Sequence, residues 1–265
     1  MNKALKCLTL AVALLSLPVG ALAQGVGAGR VAQGEDEKRF PLDLEDGSES
    51  AGEWHERGEA LEREGKREQA RKAFAEAVKL HLIAYRRVTN ASPRRPTPEW
   101  TAEEKAGLRR AAARRLERAS ESARRYLLLG EPESELEREN LEAIRAHAAL
   151  LAETDEARAA FFPFEVDEKA RVTYKPEPGY TERARANGTG GRVMVRAVLT
   201  ADGEVRHVLV MKGLPDGLSE LSVAAARRVR FTPALKDGRP VSTVVMLEYG
   251  FNIHERGFGL STYRY

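Results

Sequence analysis

Between Val241 and Phe251 the residues Val241, Thr243, Val245, Leu247, Tyr249 and Phe251 fall at every second position and share one face of an extended chain. A period of two marks a strand with one buried side. A strand this long completes a sheet, so its neighbours must lie elsewhere in the chain.

Those neighbours are legible immediately upstream. Val193, Val195, Ala197 and Leu199 alternate with Arg192 and Arg196 on the other side, as in a half-buried strand from Arg192 to Thr200. Asp202-Gly203 then predicts a type I′ hairpin with positive φ at both central residues, and Glu204 to Met211 is the returning strand. Gly213, Pro215 and Gly217 break the pattern. Leu218, Leu221, Ala225 and Val229, spaced by three and four, predict a helix from about Leu218 to Val229, ended by Phe231 and Pro233. Asp237 and Gly238 form a further turn, and a short helix from Tyr180 to Ala186 is closed by Asn187 and Gly188. The order is helix, strand, strand, helix, strand, which predicts a three-stranded antiparallel sheet with two helices covering one face.

Residues 51–155 change period. Trp54, Gly58, Leu61, Gly65, Ala70, Phe74 and Ala77 have spacings that resemble one tetratricopeptide unit, in which small residues let two antiparallel helices approach closely. Beyond the Pro93 to Pro98 loop, Thr97 and Thr101 are candidate caps for a helix of about Ala102 to Leu129, and Thr101 has capping-box spacing to Glu104. Gly130 and Pro132 end it, and Glu133 to Leu151 is the next helix, giving about four helices in two hairpins. The fold class is therefore α+β. Residues 156–171 form a connector, whose Phe161, Phe162, Pro163 and Phe164 join the two regions by packing.

At the N-terminus, Lys3 and Lys6 precede an apolar run from Leu8 to Val19, with Ala21-Leu22-Ala23 before Gln24, the pattern of a cleaved secretory signal over 1–23. Localisation in the periplasm follows, and membrane contact is expected only if the leader is retained. Glycines and charges with few large apolar groups make 24–50 a disordered linker, and 254–265 a tail. Without Lys3 and Lys6, the 43 basic side chains become 41 against 40 acidic, a balance that gives no pull toward nucleic acid.

The ordered set of the Pro178-Gly179-Tyr180 entry with Ala184 and Ala186, then GTGGRVMVRAVLTADGEV, then AARRVRFTPALKDGRPV resembles the C-terminal domain of the TonB family, over about Val172 to Ile253. That resemblance implies a domain whose closing strand pairs with a short segment of an outer-membrane transporter. It assigns partner binding to the edge of Val241 to Phe251, with Val241, Thr243, Val245, Leu247, Tyr249 and Phe251 as the strand involved. Family transducers keep an uncleaved anchor carrying a histidine, whereas no histidine occurs here before His55.

Catalytic chemistry finds no constellation. His55, His81, His147, His207 and His254 lie far apart, with no HExxH spacing, and no Gly-x-Ser-x-Gly elbow occurs. Gly188 to Gly191 lacks the following Lys-Ser/Thr of a phosphate loop and leads into a strand. The expectation is a non-enzymatic protein-binding adaptor in the envelope, with no cofactor and no metal. The alternatives are an anchored energy transducer or a self-associating, homodimeric envelope protein.

Overall fold

The computed structural model describes residues 48–90 and 100–252; the leader, the linker as far as Gly47, the Pro93 to Pro98 loop and the tail lie outside them, while Ser48 to Ser50, expected in the linker, begin the first helix. Among the described residues no helix is long and apolar enough to cross a membrane.

Four helices come first: α1 (Ser48–Arg63), α2 (Arg67–Thr89), α3 (Ala102–Leu129) and α4 (Glu135–Ala152). Gly65, with φ 75°, turns the chain between α1 and α2 in a conformation that a side chain disfavours. Gly58 lets the two helices close up. A Cβ built there would stand 2.7 Å from the ring of fully buried Phe74. Gly58→Ala is therefore expected to lower stability by about 1–3 kcal/mol through overpacking, measured as a lower urea midpoint at an unchanged slope. Thr101 and Glu104 do form the reciprocal capping box at the start of α3, and Ser134 caps α4 through the Glu137 N–H.

Among the described residues seven strands follow instead of three: β1 (Ala160–Phe161), β2 (Arg171–Tyr174), β3 (Gly191–Leu199), β4 (Val205–Lys212), β5 (Arg230–Thr232), β6 (Ala234–Lys236) and β7 (Arg239–Phe251). The helices α5 (Glu182–Ala186) and α6 (Leu218–Ala226) lie among them. β3, β4 and β7 are the strands read from alternation. The extra four span two to four residues each, too short to show a period. The main sheet runs β1-β7-β3-β4 with β6 also paired to β7, and β2 and β5 make a separate ribbon.

Two turns behave differently from each other. At Asp202-Gly203 only Gly203 has positive φ, and the Gly203 N–H bonds the Thr200 carbonyl while Thr200 N–H bonds Glu204. This is a type I turn closed by a left-handed glycine, not the expected type I′. The type I′ geometry occurs at Asp237 (φ 50°) and Gly238 (φ 70°), where Lys236 pairs with Arg239.

The sheet is covered on both faces, where one was expected. Odd-numbered Val193, Val195, Ala197, Leu247, Tyr249 and Phe251 pack with α6 and with Ala184 of α5. Val198, Leu209, Met211 and Val244 join the core of the four helices, so the helical region and the sheet share one apolar layer. Arg196, read as facing away from the buried side, is only 4% exposed because the C-terminus of α2 covers it.

Helix α4 also closes the outer edge of β4. His207 has φ 50° at an irregularity in the β3–β4 pairing, which turns its carbonyl outward to accept from His147 Nε2 at 2.7 Å. Two turns of helix earlier, Asn140 Oδ1 accepts the Val210 N–H at 2.9 Å. Two of the backbone groups on the outer edge of β4 are thus taken by side chains.

Candidate partner-binding edge

The six residues singled out in β7 turn inward. Leu247, Tyr249 and Phe251 are core residues against α6, Val245 lies beside them, and Val241 packs with Ala159, Phe161 and Ala234. Thr243 is buried where β1 and β3 flank β7 on opposite sides. Their side chains hold the sheet together, and what remains for a partner is backbone.

β3 occupies one edge of β7 from Thr243 to Phe251. On the opposite edge β1 pairs in parallel with Ser242 and Thr243, and among the described residues no strand continues beside Val244 to Phe251. The Glu248 carbonyl accepts a hydrogen bond from Lys175 Nζ at 2.5 Å, so it points to this open side. Backbone polar groups of an antiparallel strand alternate between its two edges. Val244, Met246, Glu248 and Gly250 therefore direct their N–H and C=O groups outward, and the odd-numbered residues direct theirs to β3.

Lys175 follows directly on β2, whose pairing with β5 fixes its position. Its ammonium stands 4.6 Å from the centre of the Tyr249 ring, a cation–π contact. Burial draws the Lys175 pKa below the ordinary range, with Glu177 and Glu248 opposing that shift. Burial likewise pushes the Tyr249 phenol up, and Glu177 adds to it. Beyond Lys175, Pro176 is buried and Tyr180 meets Phe251 edge to face at 5.7 Å, its hydroxyl donating to the Thr189 carbonyl. Pro176 and Pro178 have no N–H to donate, so this stretch does not complete the ladder itself. Gly188 (φ 63°) closes α5, with Thr189 N–H reaching back to Ala184 and Gly188 N–H to Arg185.

Neither Lys175 nor β1 was visible in the sequence. Lys175 reaches a carbonyl 73 positions away, and β1 is two residues long. The only local signals were the aromatic cluster, whose Phe161 and Phe162 are buried against separate apolar clusters, and the two prolines after Lys175.

Residues 176–253 match the family described as Gram-negative bacterial TonB protein C-terminal. The matched segment of TonB C-terminal type holds β3, β4, β7, α5 and α6, and it begins one residue after Lys175. Among solved structures, the solution NMR structure of the Pseudomonas aeruginosa TonB CTD is 26% identical over 34% of this chain and 93% of that chain, with a TM-score of 0.29. No curated protein matches the chain. The four helices, β1, β2 and Lys175 all lie outside the TonB-like segment.

Proposed function

We propose that this chain is a non-enzymatic protein-binding adaptor of the cell envelope, and that it takes an extended peptide onto the open edge of β7. The run from Val244 to Gly250, beside which no strand lies among the described residues, carries this reading, because an added strand finds alternating donors and acceptors aligned there. The TonB-like character of 176–253 supports an envelope protein as the partner and the N-terminal peptide of an outer-membrane transporter as the ligand. The binding strip is shorter than the whole of Val241 to Phe251, since β1 holds its first part.

Calorimetry of residues 24–265 against the transporter N-terminal peptides encoded in the same genome is expected to show saturable heat for at least one of them. Amide exchange at Met246 and Glu248 should slow on binding. No heat with any such peptide sinks the proposal. The same edge could instead pair with a second copy, and a mass rising toward a dimer with concentration in sedimentation would favour that.

A further inference from the structure

We propose that Lys175 makes the β7 edge selective for acidic peptides; this rests on strand addition as the function. Its ammonium has three donors, and the acceptor it holds is a backbone carbonyl, that of Glu248. Among the described residues no carboxylate lies within 4.0 Å of it. Glu248's own side chain is engaged by Arg192 at 3.0 Å, and Glu177 acts on Lys175 only at longer range.

An added strand needs the Glu248 carbonyl as an acceptor for one of its own N–H groups. The incoming N–H competes with Lys175 for that carbonyl, and where it wins the ammonium is displaced. The ammonium itself stands over the Tyr249 ring, 4.6 Å from its centre, so once displaced from the carbonyl it stays at the rim of the edge, half-buried and without its acceptor. A peptide carboxylate placed there replaces the lost hydrogen bond with a charge-assisted one, whereas a neutral peptide leaves the ammonium without a replacement. In the empty state the same contact keeps the exposed ladder from pairing indiscriminately, as lysines on edge strands do.

The test uses fluorescein-labelled octapeptides of valine and threonine, with one aspartate moved through each position and an asparagine counterpart for each. Anisotropy is read on the mature full chain. One aspartate position is expected to bind roughly tenfold more tightly than its asparagine partner. Lys175→Met keeps the apolar stem and should bring that ratio close to one while tightening the asparagine peptide. Lys175→Gln, which retains a neutral donor, should show the same loss of preference, and a thermal melt of each variant establishes that it folds. Peptides that bind without an aspartate preference overturn the role of Lys175 and leave strand addition standing. A preference that survives in both variants overturns it as well. Absence of binding by every octapeptide removes both proposals.

Discussion

Lowering the pH from about 7.5 to 5 is expected to remove roughly 2 kcal/mol of stability through His147 alone. This side chain is fully buried on α4; its Nε2–H donates to the His207 carbonyl, and its Nδ1 has no partner among the described residues. A carbonyl only accepts, so Nε2 carries a proton, and burial with an unpartnered Nδ1 keeps the ring neutral. Burial pulls the pKa down from 6.5 to about 4; the bond to the His207 carbonyl opposes that shift, and Arg196 and His207 add to it. An unfolded histidine takes its proton near 6.5 and the folded one only near 4. The unfolded state therefore gains protons first as the pH falls. The stabilisation is complete above 6.5 and is lost on descending through that window toward 4. His81 shifts the same way, to about 4, through burial and then the charges of Arg118 and Arg115. Urea midpoints at the two pH values measure the effect, and His147→Gln, which still offers an N–H to the carbonyl, should reduce the dependence to the part that His81 supplies. A wild-type midpoint that does not move, or a variant as acid-sensitive as the wild type, contradicts this account.

Arg196→Glu is expected to cost about 3–5 kcal/mol, the range for an uncompensated buried charge, which is a large part of the stability of an ordinary domain. The guanidinium donates to Thr89 Oγ1 and, at 3.2 Å, to Asn90 Oδ1, the last residue of α2 and its C-cap, and it stands 5.1 Å above the Tyr85 ring. A cation there meets the negative end of the α2 dipole and the face of an aromatic ring; among the described residues no carboxylate pairs with it. A glutamate reverses each of these interactions in a site closed to water. Arg196→Met should be much milder, because it keeps the apolar stem and also removes the desolvation of the charge. The comparison is read from urea unfolding by far-ultraviolet circular dichroism. Because both layers share one core, a single transition is expected in every variant. An Arg196→Glu protein as stable as Arg196→Met would show that the site is open to water.

The longer elements were legible because their period survives from sequence to structure. Ala102–Leu129 runs between the cap and the breakers that delimit it, Val241 to Phe251 buries the residues that its spacing selects except half-buried Val245, and Thr101 caps where its pattern places it. Prediction stopped where one residue serves two neighbours. Alternation assigned Arg196 to an open side, yet the opposite face of β3 and β7 also carries Met194, Val198, Val244 and Met246, and these meet the helices. A strand buried on both faces blurs the pattern that identifies a strand with one wet side. The candidate site shows the same limit. The six side chains in β7 were easy to pick out because they alternate, and the same alternation turns them into the core. The contact between Lys175 and Glu248 joins distant positions by a backbone carbonyl, which leaves no trace in residue type.

The apolar layer shared by the helices and the sheet also constrains the order in which the molecule can be completed. Chains are made from the N-terminus, so α1 to α4 emerge before the strands that cover them. Until β3, β4 and β7 arrive, the helical core lacks Val198, Leu209, Met211 and Val244, and Asn140 and His147 face water in place of the β4 backbone. β7 comes last, and at Thr243 it pairs with strands on both sides. The nascent helical half is therefore a sticky intermediate, and one late strand seals both of its cores in the same event.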